Sequence, residues 1–333
     1  MTLDVVIPTY NRAALLRRTL ESLLEAHPPE TTEVRITVAD NRSTDDTRAL
    51  VESFVQRFDG RLYYVYESNP GRSSALNRAI AATTGDLVAM IDDDEEVDRT
   101  WLRCIEQVFR DPGTDFIGGP YVPRWVSSPP AWLPRRYGAV IGWVDSGREI
   151  REYGPSFEGM LMGGNAVVRR TVLTRVGPYA ANLGRTGGRL LSCEDEDMFR
   201  RLLASGARGV YRPDLIVHHY IAPERVTRGY FRRWCFWHGV SLGMLDRYAS
   251  APVVHVLGVP RYMIGVALRG TVRTLAGLLR SRDAAQRFSA ELAWWDLAGF
   301  VYGRHWYGTA TATAQPATPV TSVQNGAAWR EAP

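Results

Sequence analysis

Three consecutive carboxylates, Asp92-Asp93-Asp94, follow the apolar run Leu87-Val88-Ala89-Met90-Ile91. Burying three ionised acids is costly, so their expected place is the solvent-facing end of a buried strand, where a cation offsets their repulsion. Asp92 and Asp94 have the spacing to share a hard divalent ion and the phosphates attached to it. The same run also reads as a charged turn, because Glu95, Glu96 and Asp98 carry it toward Trp101. A second acidic run, Glu194-Asp195-Glu196-Asp197, fits a helix N-terminus, where carboxylates oppose the helix dipole. His218-His219 follow the apolar triplet Leu215-Ile216-Val217, and Pro223-Glu224-Arg225 come next.

The elements that must position these groups repeat as strand, loop and helix. Leu3 to Ile7 reads as a strand, leaving through Pro8-Thr9-Tyr10-Asn11-Arg12. Leu15, Leu16, Leu20, Leu23 and Leu24 recur at helical spacing until His27-Pro28-Pro29. Val34 to Ala39 is the next strand, ending in Asp40, and Leu50, Phe54, Val55 and Phe58 mark its covering helix. Leu62 to Tyr66 is the third; after it comes Asn69-Pro70-Gly71-Arg72, with Ser73 or Ser74 suited to cap a helix that Gly85 ends. Every polar candidate as far as Asp94 falls after a strand, where open α/β sheets take ligands. Asp40 has the chemistry to accept a nucleobase or ribose hydrogen, or to cap the next helix. Asn69 suits either a ligand or its own turn.

Neither a G-x-G-x-x-G nor a G-x-x-x-x-G-K-[ST] pattern marks these loops, which argues against a dinucleotide or Walker-type site. All 40 basic residues are arginine and the net charge is only +4, so the charge balance does not call for nucleic acid. Three scattered cysteines, Cys104, Cys193 and Cys235, form neither a disulfide framework nor a metal cluster and suit a reducing, cytoplasmic setting. No signal-peptide pattern precedes the first strand, and Ala251 to Leu268 is broken by His255, Pro260 and Arg261 as a membrane span. Trp125, Trp132, Tyr137, Trp143 and Tyr153 interleave with Gly and Pro, fitting loop packing and sugar stacking equally. Gly163-Gly164-Asn165 reads as a turn into a strand, and Asn182 to Arg189 as a mobile loop.

The ordered set Val6-Ile7-Pro8-Thr9-Tyr10-Asn11-Arg12, Asp40-Asn41-Arg42-Ser43-Thr44-Asp45, Asn69-Pro70-Gly71-Arg72 and Asp92-Asp93-Asp94 resembles the inverting glycosyltransferases of the GT-A fold, family 2, across roughly residues 3 to 235. The resemblance implies an α/β, Rossmann-related nucleotide-diphospho-sugar transferase fold with a mainly parallel central sheet and C-terminal helices. By it, Pro8, Thr9, Tyr10, Arg12, Asp40, Asn69, Gly71, Arg72 and Asp92 to Asp94 line a nucleotide-sugar pocket, with Gly164 and Asn165 beneath the donor sugar. Asp94 coordinates Mn²⁺ or Mg²⁺, Asp92 contacts ribose or metal-bound water, and His219, with His218 as runner-up, completes the metal site. Asp195 is the general base, Glu194 orients the acceptor, and Arg225 faces the leaving phosphates.

The implied reaction is metal-dependent, inverting transfer from a nucleoside diphosphate sugar, UDP favoured, to a hydroxyl of a glycan, lipid-linked saccharide or small molecule, as in polysaccharide biosynthesis. A sugar nucleotidyltransferase and a non-catalytic sugar-binding or membrane-associated scaffold are the alternatives. The expected division is a nucleotide-sugar half over 1–118, an acceptor and catalytic half over 119–225, a helical extension over 226–308 and a disordered tail over 309–333. The Arg-rich apolar helices of the extension suit packing on the sheet, contact between copies of the chain, or the inner face of an anionic membrane.

Overall fold

The computed structural model describes residues 1–247, 254–278 and 284–307. The expected tail from 309, and Leu279 to Arg282 at the end of an expected helix, lie outside them. The described residues form two compact units: Met1–Arg124 with Gly142–Gly187 and Glu194–Tyr220, and Trp125–Ile141 with Gly188–Cys193 and the described part of Ile221–Pro333.

In the first unit the repeating pattern becomes β1 (Thr2–Thr9), α1 (Ala13–Glu25), β2 (Glu33–Asp40), α2 (Thr47–Phe54), β3 (Leu62–Tyr66), α3 (Arg72–Ala81) and β4 (Leu87–Ile91). After β5 (Glu95–Val97) come α4 (Trp101–Phe109), β6 (Phe116–Gly118), β7 (Tyr121–Trp125), β8 (Arg151–Glu152), β9 (Asn165–Arg169), α5 (Arg170–Val176), α6 (Glu194–Ala204), β10 (Gly209–Tyr211) and β11 (Val217–Ile221). The main sheet runs β3-β2-β1-β4-β9-β6-β10-β8. Its β1, β2, β3 and β4 pair in parallel, as do β6 and β10, whereas β9 runs antiparallel between β4 and β6. The mainly parallel sheet expected from sequence is therefore present, with one reversed strand at its centre.

Alternation along β1 sends Leu3, Val5 and Ile7 into one core with Leu16 and Leu20 of α1 and Trp101 of α4. Val6 joins the other core, with Leu76 of α3, Met90, Val172 of α5 and Met198 of α6. Burial of both faces explains why the strands read as continuous apolar runs. Each large side chain so enclosed contributes about 1.5–3 kcal/mol.

A second sheet, β5-β11-β7, begins where the acidic run ends. The second unit is helical: α7 (Arg228–Asp246), α8 (Arg261–Leu278) and α9 (Ala284–His305), with a small hairpin, β12 (His255–Val256) and β13 (Val259–Pro260). Among the described residues, no helix is long and apolar enough to cross a membrane.

Candidate functional site

The acidic run sits at the carboxyl end of β4, but its three members face different neighbours. Asp93 is the inward one: Thr9 Oγ1 donates to its Oδ2 at 2.8 Å and Arg12 Nη1 to its Oδ1 at 2.9 Å. Burial first, offset by Arg12, sets its pKa at about 6. Each oxygen of Asp93 thus has one partner within the fold. Arg12 Nη1 also donates to Asp94 Oδ2 at 2.9 Å. Thr9 and Arg12 therefore brace the acids from the first loop.

Asp92 turns the other way, toward Arg72 at the start of α3. Arg72 Nε donates to Asp92 Oδ1 at 2.8 Å, and its Nη1 reaches Glu194 Oε1 at 3.4 Å and Asp195 Oδ1 at 3.3 Å. One guanidinium thus joins the DXD acid to both carboxylates at the N-terminus of α6. Burial, then the charge of Asp195, raises the Glu194 carboxyl to about 7 against the pull of Arg72. Asp195 also lies against Gly163, where an added Cβ would collide with its carboxylate. The glycine before Gly164 is what lets a loop pass beneath that side chain.

Neither serine caps α3. Gly71 stands at its N-cap with φ 124°, a backbone angle that L side chains rarely adopt. Ser73 instead donates to Leu183 O at 3.0 Å, Arg72 N to Arg185 O at 3.2 Å and Thr186 Oγ1 to Pro70 O at 3.3 Å. The loop expected to be mobile is stitched over residues 70–73 by these three bonds. The helix itself ends at Ala81, short of Gly85.

Strand alternation sends the two histidines to opposite faces of β11. His219 is buried and its Nε2 lies 3.5 Å from Asp94 Oδ1, while His218 points to the opposite face, 3.9 Å from Asp98. Across the small sheet, His219 pairs in register with Glu95 and stacks on Tyr121 with ring centroids 6.3 Å apart. Glu95 is fully buried, its Oε2 accepting from Asp92 N at 2.8 Å. Its carboxyl is raised well above the usual range by burial and by Asp92 and Asp94. An added Cβ on Gly164 would stand 2.5 Å from Glu95 Oε1, so the glycine makes room for that carboxyl. Glu95 and Tyr121 escaped the sequence reading; their one signal was an acid continuing the DXD run.

Asn165 is a pin. It is fully buried, its Oδ1 accepting from Trp101 Nε1 at 3.0 Å and its Nδ2 donating to Leu215 O at 2.7 Å and Pro120 O at 3.3 Å. Both hydrogens of that amide are thus taken by backbone carbonyls.

In the loops expected to hold the nucleotide, Pro8 is buried opposite Ala39 and Tyr10 is exposed. Asp40 accepts from Ser43 N at 2.8 Å and from the Tyr64 hydroxyl at 2.7 Å, each oxygen keeping a second lone pair. Asn69 is held through its backbone N by Glu67 Oε1 at 2.6 Å and through its carbonyl by Asn41 Nδ2, also at 2.6 Å. Asn41, which also accepts from Gly71 N at 2.7 Å, is a further residue the sequence did not single out. Arg225 is buried in a 3₁₀ turn of the second unit. Of the aromatic residues interleaved with Gly and Pro, Trp132 packs edge-on against Phe231 and Phe288, and Tyr153 stacks on Phe116.

The model of "Glycosyl transferase family 2" matches residues 4–177, more than half of the 333-residue chain. The chain belongs to glycosyltransferase family 2. This family 2 enzyme transfers a sugar from a nucleoside diphosphate donor to an acceptor hydroxyl. It is 28% identical over 246 residues to the succinoglycan biosynthesis protein ExoM of Rhizobium meliloti, covering 73% of this chain and 74% of that one. It is 27% identical over 252 residues to the glucosyl-dolichyl phosphate glucuronosyltransferase of Haloferax volcanii, covering 74% and 78%. A solved mannosyltransferase, PcManGT from Pyrobaculum calidifontis in complex with GDP-Man and Mn²⁺, shares the fold at a TM-score of 0.59 and 19% identity, over 90% of this chain and 86% of that one.

Proposed function

We propose that the family 2 transferase works with inversion, with Asp195 as general base and Asp92, Asp94 and His219 as the metal ligands. The observation that carries this reading is Arg72, whose one guanidinium reaches Asp92 and Asp195 together. Acids assigned to opposite ends of the reaction are thereby drawn into one cluster.

In this reading Asp195 takes the proton of the acceptor hydroxyl as that oxygen attacks the anomeric carbon. The bond from that carbon to the phosphate oxygen breaks on the far side, and the nucleoside diphosphate leaves. Arg72 must give up Asp195 for the carboxylate to accept a proton, and a departing diphosphate offers the guanidinium a stronger partner. Glu194 holds the start of α6 beside Arg72. Asp92, Asp94 and His219 offer carboxylate oxygens and an imidazole, a set suited to Mn²⁺ and, through its oxygens, to Mg²⁺. When bound, such an ion supplies positive charge to the leaving phosphates. Asp40 reads the base, UDP being favoured from the resemblance, and Arg225 contributes to phosphate binding.

The names of the ExoM and glucosyl-dolichyl phosphate relatives favour a saccharide acceptor, lipid-linked in the second case, and we propose a lipid-linked saccharide met in the cytoplasm. The test is an array of UDP-, GDP- and dTDP-sugars with Mn²⁺ or Mg²⁺ and saccharide acceptors, read as nucleoside diphosphate release and anomeric configuration. Release of pyrophosphate would point to nucleotidyl transfer. A retained configuration would remove Asp195 from its role.

A further inference from the structure

Residues 247–282 hold six of the chain's 40 basic residues and none of its 36 acidic ones, so this run contributes +6 to a chain of net charge +4. The structure shows how its described part is displayed. Helix α8 packs Met263 and Ala267 inward, Met263 joining Phe300 of α9 in a small core. Its outer stripe, at helical spacing, is Leu268, Val272 and Leu275, from 50% to 64% exposed. An ordinary surface helix is polar on that side; this one is apolar on both. The adjoining hairpin raises Leu257 at its turn, 96% exposed. Arg261 and Arg269 edge a groove of about 600 Å³ beside this stripe.

The acids of the neighbouring helices are held in ion pairs, one of them with the hairpin itself. Glu291 and Asp296 of α9 pair with Arg232 and His238 of α7, and Asp246 of α7 pairs with Arg304 and His255. The α8 face therefore combines unshielded apolar side chains with positive charge.

We propose that this face docks on an anionic phospholipid bilayer. Helix α8 lies along the surface, Leu257 and the outer stripe enter the headgroup–acyl boundary, and Arg261 and Arg269 meet lipid phosphates. The charge complementarity selects this occupant. A second copy of the chain would bring the same arginines against each other, and a soluble polyanion would leave the leucines in water. With arginines on its flank and 18 residues in length, α8 lies on a bilayer and does not cross it. This inference does not depend on the transfer reading.

The experiment is flotation of the full chain with vesicles of phosphatidylcholine alone or with phosphatidylglycerol added, at low and high salt. Partitioning onto the anionic vesicles is expected to fall about 25-fold in R261Q/R269Q, taking about fivefold per arginine. In L257S/L268S it is expected to fall about tenfold. Unchanged far-UV circular dichroism and melting keep the comparison on the surface rather than on folding. Equal flotation on both vesicles, none on either, or undiminished binding of R261Q/R269Q overturns the proposal. A concentration-dependent dimer in sedimentation, dissolved by the same substitutions, overturns it in favour of a self-interface. Flotation needs no turnover, so its result stands apart from any failure of the transfer assay.

Discussion

The acidic centre and the α8 face treat charge in opposite ways. Around β4 the acids are met inside the first unit: Asp93 and Asp94 by Arg12, Asp92 and Asp195 by Arg72. Along α8, arginines stand in a run of sequence that has no carboxylate at all. Buried charge must be matched in place, since an unmatched partner costs several kcal/mol. Exposed charge is screened by water and can wait for a partner from outside. Changes at the first region are therefore expected to disturb chemistry and folding, and changes at the second only association.

The largest effect should come from Asp195→Asn, which keeps the size of the side chain but removes its basicity. Turnover is expected to fall about 10²–10⁴-fold with nucleotide-sugar binding by calorimetry retained; undiminished turnover would take Asp195 out of the mechanism. Gly163→Ala pushes a methyl group into the same carboxylate and should cost about 10²-fold in turnover while leaving the melting temperature nearly unchanged. A large drop in melting temperature instead would show that the loop, not the base, needs the glycine.

Asn165→Ala strands the Trp101 N–H and two buried carbonyls, and chemical denaturation should show about 3 kcal/mol lost. Glu106 offers a pH test. Burial pushes its carboxyl up, but hydrogen bonds from Glu30 N, Thr31 N and the Thr32 hydroxyl outweigh this and bring it down to about 2. A depressed carboxyl stabilises the fold above its unfolded pKa near 4.5, and the contribution is lost as pH falls from there through 2. Glu106→Gln should therefore cost about 1–2 kcal/mol at neutral pH, with the gap to wild type closing on acidification. At the other extreme, Val272→Ser on α8 should change stability by less than about 0.5 kcal/mol. A larger loss would mean that the stripe is core rather than surface.

Much of the first unit was legible because its signals are local. Strand β3 spans Leu62–Tyr66 as read, and Asp92–Asp94 follow directly on β4, although Asp93 and Asp94 are buried rather than solvent-facing. Pairing partners were not legible: nothing near Asn165 announces that β9 runs antiparallel between β4 and β6. The same limit hid the row of Glu95, His219 and Tyr121, which comes from three separated stretches of sequence. Residue type alone did not show which polar side chains also serve the fold. Asp93 and Asn165, expected at the substrate, have protein partners 45 to 84 residues away, which local spacing does not reveal.

The three bonds that fasten residues 183–186 to residues 70–73 have a thermodynamic consequence. Arg72 belongs both to the loop proposed to hold the nucleotide and to the cluster around Asp195, so a change in one is felt by the other. If filling one half alters the affinity of the other by some factor, the reverse order of filling must alter it by the same factor. Donor and acceptor dissociation constants, each measured with and without the other ligand, should close that cycle.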